Sequence, residues 1–231
     1  MPRSELGLSI HQNKNAMLQI HTIESMPFAE NSYVVWRTGH SECFVIDPGF
    51  EPELILEFLR SKSLTLAAIV CTHGHVDHIA GNAALKRAFP DAPIIIGEHE
   101  ADFLTDASLN MSAKYGFEVL SPPADTLVKD GETITVAGIA LDVREIPGHS
   151  PGHVVYVVHE MNPKWVLGGD VLFEGSVGRT DFPGGSFAQL KAGILAKLWP
   201  LPDVTAVFPG HGSPTTTGRE KRMNPYVGND A

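Results

Sequence analysis

The stretch CTHGHVDHIAG, residues 71–81, places three histidines and an aspartate within six positions, His73 to His78. His73 and His75 are two apart, so on an extended backbone both project to one side. Gly74 between them relaxes the chain. Asp77 and His78 follow where the pattern turns toward a helix, which aims them at a second point beside the first. Neutral imidazoles and a carboxylate suit zinc, iron or manganese. A polar loop with capping residues would account for a lone histidine, but four such side chains in one short run weigh against it.

Three more segments carry the same residue types. PGHSPGH supplies His149 and His153, LGGDVLF sets Asp170 directly after an apolar run, and FPGHG sets His211 in a similar place. Six of the eleven histidines fall in these segments and the first one. His11, His21, His40, His99 and His159 have no such setting and read as surface or hydrogen-bonded residues. Strand ends gathered at one sheet edge are a common way to assemble a site.

The elements that would position these residues are legible as patterns. LQIHTI, SYVVW and ECFVID are β-type runs parted by turn formers such as Asn31 and Gly39. EPELILEFLRSK reads as a helix, with Pro52 near its start and Leu54, Ile55, Phe58 and Leu59 on one face. LAAIVCT is a buried strand that ends at the first histidine segment. NAALKRAF continues as a helix, APIIIG as a strand, and residues 98–120 as an irregular helical stretch. In the second half, DGETITVAGIALDVREI is a hairpin pattern with turns at Asp130-Gly131 and Ala137-Gly138. HVVYVV and KWVLGGD are strands. SFAQLKAGILAKLW is an amphipathic helix capped by Ser186, and VTAVFPGHG is a strand running into a Gly-His turn. This order predicts two sheets packed together with helices outside.

Composition narrows the function. The chain has 231 residues, is 43% hydrophobic and carries a formal net charge of −10. An acidic chain argues against a general grip on nucleic acid, and no apolar run approaches the roughly 20 residues that span a membrane. Residues 1–16 are polar and irregular, with no apolar core of a signal peptide, and Met17 is an alternative start. The expectation is a cytoplasmic protein with a polar extension, 1–16, ahead of one domain, 17–231. Cys43 and Cys71 lie in apolar runs and read as buried thiols rather than a disulfide.

THGHVDH, PGHSPGH, GGD and PGHG, in this order and at these intervals, resemble the metallo-β-lactamase superfamily from about Met17 onward. The resemblance implies an αββα sandwich of two mixed sheets with helices on both outer faces and a two-metal site between the sheet edges. It assigns His73, His75 and His149 to one metal, Asp77, His78 and His211 to the other, and Asp170 to the bridge. His153 matches a motif position that supports the site rather than ligating it. Within the superfamily, GDVLFEGSVGRTDFPGG and PGHGSPTTTGREKRMNPYV resemble the short, single-domain bacterial branch of glyoxalase II. No counterpart of the longer members' C-terminal helical domain is expected. Where they use a lysine and a tyrosine to hold the glutathione glycine carboxylate, this sequence has Arg179 and Asp181.

The resemblance implies hydrolysis of a small thioester such as S-lactoylglutathione, with two divalent cations, zinc or else iron or manganese. Two adjacent cations lower the pKa of a shared water from ~15.7 toward ~7, so hydroxide is available to attack a carbonyl carbon. Asp77, at the same point, would orient that water, and Arg179 would either bind a substrate carboxylate or pair internally with Asp181 or another carboxylate to support its loop. The alternative is an iron-dependent glutathione persulfide dioxygenase, which shares the GRTDF stretch; a lactonase or other ester hydrolase is a further one. Asp47 in IDPG reads equally as a turn residue or as a support for a metal ligand. Asn31 and Tyr33 read as shaping the first turn and strand. Asn110, Met111 and Tyr115 lie in a segment that could line a pocket mouth, though core or surface is the first reading for each, and GREKR reads as a solvated face or else as an attractor of anions.

Overall fold

Runs of branched and aromatic residues build the strands of a computed structural model that describes residues 17–229. The readings placed on residues 1–16, His11 among them, fall outside the described residues. The first sheet contains β1 (Leu18–Ser25), β2 (Glu30–Arg37), β3 (Glu42–Ile46), β4 (Thr65–Val70), β5 (Ile94–Gly97) and β6 (Thr126–Val128), in that spatial order. β1 to β3 pair antiparallel, and β3 to β6 pair parallel. Parallel neighbours need crossovers. These are α1 (Pro52–Lys62), then α2 (Val76–Ile79) with α3 (Asn82–Ala88), then a segment with 3-10 turns at Glu98–Leu104 and Ser112–Tyr115.

The second sheet contains β7 (Thr133–Val136), β8 (Ile139–Glu145), β9 (Val154–Val158) and β10 (Trp165–Gly169). A small separate hairpin follows, β11 (Leu172–Phe173) with β12 (Ser176–Val177), then α4 (Phe187–Lys197). The chain returns to the sheet as β13 (Ala206–Pro209), parallel to β10, and β14 (Thr215–Thr216), and α5 (Thr217–Met223) follows. The spatial order is β14-β13-β10-β9-β8-β7.

Alternation along the strands makes three apolar layers. On β9, Val154, Tyr156 and Val158 face the first sheet, where they meet Phe44, Ile46 and Val70. Val155 and Val157 face outward and pack against Leu190 and Ile194 of α4. On the other side, Val34, Val45 and Ile69 pack under Ile55 and Leu59 of α1 and Leu85 of α3. Both sheets are covered on both faces, which is why their central strands are apolar throughout. The result is the expected αββα sandwich of two mixed sheets.

Local readings fare unevenly. The β7–β8 hairpin turns at Ala137-Gly138, both with positive φ (49° and 70°), as a two-residue hairpin requires. Ser186 caps α4, accepting from the Gln189 amide. Both cysteines are buried free thiols. The stripe on α1 is narrower than its pattern, because Leu54 is 43% exposed while Ile55 and Leu59 are buried. GREKR is not simply a solvated face. Its Glu220 is fully buried and accepts hydrogen bonds from the Gly175 amide, the Thr215 hydroxyl and the Asn224 side-chain amide, fastening α5 to the β11–β12 hairpin.

Candidate metal centre

The sheet ends deliver the candidate residues to one place. Asp47 leaves β3, His73 to His78 leave β4, His149 leaves β8, Asp170 leaves β10 and His211 leaves β13. The backbone comes close enough only because certain positions lack a Cβ. One added at Gly74 would stand 2.3 Å from Phe103 Cβ, and one at Gly210 would stand 2.3 Å from Asp170 Oδ1.

Three imidazole nitrogens converge first. His73 Nε2 lies 3.0 Å from His75 Nδ1, which lies 2.9 Å from His149 Nε2. Asp77, His78 and His211 form a second trio, with His211 Nε2 3.3 Å and His78 Nε2 3.7 Å from Asp77 Oδ2. Asp170 reaches both: its Oδ2 is 3.4 Å from His149 Nε2 and 3.6 Å from His211 Nε2, and its Oδ1 is 3.5 Å from His78 Nε2.

The outward nitrogens orient the rings. His149 Nδ1 donates to the Arg179 carbonyl at 2.8 Å, and His211 Nδ1 faces the Phe28 and Ala29 carbonyls at 3.2 Å. His78 Nδ1 faces Asp47 Oδ2 at 3.1 Å. Each turns Nε2 toward the centre, the orientation that outer partners of metal-bound histidines impose. Asp47, His73 and His78 also lie close enough to hold an ion. Asp47, however, already accepts the Thr72 amide and hydroxyl, both at 2.7 Å, as well as His78. It therefore orients a ligand. His153 stays out of both trios; its ring stacks on His73 with centroids 4.6 Å apart, and its Nε2 accepts the Asp170 amide.

The donor set fits cations. His78 Nε2 and Asp170 Oδ1 are buried with no hydrogen-bond partner, an arrangement that is costly unless something positive sits between them. Burial, then neighbouring imidazoles, hold His73 and His75 well below the usual histidine range, so they present the neutral form that ligates. Burial also disfavours an ionised Asp77, but His78 and His211 outweigh it and keep the carboxyl below its ordinary value.

Several supporting residues escaped the sequence reading. Asn31 and Tyr33 do more than shape a turn: the Asn31 side chain donates to the Pro209 and Gly212 carbonyls, and the Tyr33 hydroxyl donates to Pro209, which holds the His211 loop. Glu100 is fully buried. Its two oxygens accept the Gly74 amide at 3.0 Å and the Gly152 amide at 2.8 Å, tying the His73–His75 loop to the His149–His153 loop. A single glutamate in an irregular stretch gives no pattern by which to find it. Glu100→Ala strands two buried amides, each worth about 1–3 kcal/mol. Denaturant unfolding of the metal-free variant is expected to show a loss of roughly 2–6 kcal/mol. Unchanged stability would show that the two loops hold without the clasp.

A cavity of about 360 Å³ opens over the trios. Asp77, Asp170 and His211 line it, and so do Met111 and Tyr115, in the segment that the sequence offered as a pocket mouth behind the core or surface reading. Arg179 stands at its rim, with its Nε and Nη2 gripping Asp181 at 2.7 and 2.6 Å and its guanidinium carbon 4.2 Å from the Phe182 ring centre.

Comparison with known proteins agrees with this geometry. The profile described as Metallo-beta-lactamase superfamily matches residues 26–211. The chain is 35% identical over 213 residues to hydroxyacylglutathione hydrolase GloC of Haemophilus influenzae, an alignment covering 91% of this chain and 98% of that protein. Among solved structures, the BLEG-1 B3 metallo-beta-lactamase matches with a TM-score of 0.86 at 36% identity, over 90% of this chain and 99% of that one. TTHA1623 in a di-iron-bound form matches with a TM-score of 0.77 at 35% identity, over 89% and 99%.

Proposed function

The chain belongs to the metallo-β-lactamase superfamily, and from that premise we propose that it hydrolyses a small thioester, with S-lactoylglutathione the first substrate to test. The observation that carries the reading is Asp170, whose two oxygens reach histidines of both trios. His73, His75 and His149 would hold one divalent cation, Asp77, His78 and His211 a second, and Asp170 would join them. When bound, such a pair supplies Lewis-acid polarisation of a carbonyl and a water acidic enough to react at neutral pH.

The chain's own groups do the positioning. Asp77 presents its carboxylate to the cavity, where it would accept a hydrogen bond from the attacking water and orient it. A thiolate leaves without a strong general acid, and no histidine beyond the trios is needed to protonate it. Neither cysteine serves as nucleophile, because burial raises both thiols, Cys43 to about 12.

Arg179 is the group proposed to take a substrate carboxylate. Its present partner, Asp181, is exposed, and exposed ion pairs are weak, so a carboxylate entering the cavity can displace it. Arg179→Ala is expected to raise KM for S-lactoylglutathione about ten-fold and to change kcat less, as loss of a remote charge-assisted bond should. Equal losses on a thioester without carboxylates would make Arg179 a loop support.

The deciding experiment follows free thiol release from S-lactoylglutathione under nitrogen, alongside oxygen uptake on glutathione persulfide. Turnover in the first supports the hydrolase. Turnover only in the second establishes the dioxygenase reading, to which the di-iron relative gives some weight. Faster opening of a β-lactam than of any thioester would place the chain with the BLEG-1 enzyme instead.

A further inference from the structure

One wall of the cavity is aromatic, and the metal site makes no use of it. Phe28, Phe50, Phe117 and Tyr115 form a closed ring of contacts. Centroids are 5.6 Å apart for Phe28–Phe50, 5.8 Å for Phe50–Phe117, 6.2 Å for Tyr115–Phe117 and 5.3 Å for Phe28–Tyr115. Phe28 and Tyr115 face the cavity. Tyr115 is 46% exposed and Phe117 39%, although both belong to a segment whose base is buried.

That base is tied to the metal centre. Asn110 is fully buried; its carbonyl accepts the Val76 amide at 2.9 Å, at the start of the helix carrying Asp77 and His78. Its side chain accepts the Ser112 amide at 3.0 Å and donates to the Val119 carbonyl at 2.8 Å. Met111, next in sequence, takes a left-handed backbone with φ of 71°, costly for a residue with a Cβ. The strained residue turns the chain so that Met111 and Tyr115 both line the cavity. Backbone strain and exposed aromatic surface, both held at a fixed place beside the candidate ligands, are features that packing alone does not require.

We propose that Tyr115 and Phe28 form a subsite for an aromatic or comparably flat apolar group of the substrate. The inference deepens the thioesterase reading and rests on it for the reacting bond. Offset or edge-on stacking on the two rings would hold such a group. Thioesters that carry a phenyl-sized group are then preferred over acetyl or lactoyl ones.

Calorimetric binding to the metal-loaded protein tests this without turnover. 2-Phenylethanethiol is compared with ethanethiol, and phenylacetate with acetate, so that the two pairs show whether the thiol or the acyl part enters the subsite. At least one phenyl probe is expected to bind ten-fold or more tightly than its reference. Tyr115→Ala should abolish that preference and Tyr115→Phe should keep it. No preference in either pair, or a preference that survives Tyr115→Ala, overturns the subsite. If the preference is present but no thioester is hydrolysed, the subsite stands and the thioesterase reading falls.

Discussion

Asp170→Ala is expected to keep its fold, hold one cation per chain in place of two, and lose about 10³-fold or more in kcat/KM. Charge stabilisation by a Lewis acid is worth several kcal/mol, and each ~1.4 kcal/mol is tenfold in rate. The fold should survive because the carboxylate supports nothing else. Its Oδ1 is buried without a hydrogen-bond partner, and the bond to His153 comes from the Asp170 backbone amide, which alanine retains. What is lost is a carboxylate within 3.6 Å of histidines of both trios, so two neighbouring cations would repel with less between them. Elemental analysis with steady-state kinetics reads both effects. Two metals and an unaltered rate would remove Asp170 from the centre.

The second large effect is expected at Asp47, which sits outside the trios. Asp47 Oδ1 accepts the Thr72 amide, and Oδ2 accepts both the Thr72 hydroxyl and the His78 Nδ1 proton. Asp47→Asn preserves shape, and asparagine tolerates the left-handed backbone found there (φ 47°). Its amide offers one acceptor and two donors. With the oxygen kept on the Thr72 amide, the nitrogen faces His78 and drives the histidine proton to Nε2, the atom aimed at Asp77 and Asp170. Affinity for the second cation should fall about 10–100-fold, the usual cost of losing such an outer partner. Activity should fall with it at limiting metal and recover in part with excess. Two cations held with native affinity would leave Asp47 a plain turn residue.

The divide between what the sequence reveals and what it hides follows from range. THGHVDH is legible because its chemistry is local: period-two spacing, a glycine between ligands, and a helix start fix the geometry within a few bonds. The sheets are legible because alternating burial repeats over whole strands, as on β9. Asp47 stays ambiguous in sequence, since a turn aspartate and a histidine support have the same local pattern, and only the approach of Thr72 and His78 separates them. Glu100 and Glu220 are hidden for a stronger reason. Their partners are backbone amides and side chains up to 52 residues away, on other loops. Leu54 fails in the opposite sense: its spacing fits the buried stripe of α1, but the sheet beneath covers only Ile55 and Leu59 fully. Tyr115 lies in a 3-10 turn after a strained methionine, where no periodic signal exists to be read.

Stepwise reconstitution tests the central claim most directly. Metal-free protein is titrated with zinc under nitrogen while thiol release from S-lactoylglutathione is followed at each addition. With two trios joined by Asp170, the rate should climb until two equivalents per chain are bound and then stay level. A rate that reaches its plateau at one equivalent, or stays at zero until oxygen is admitted, would contradict the two-metal hydrolase.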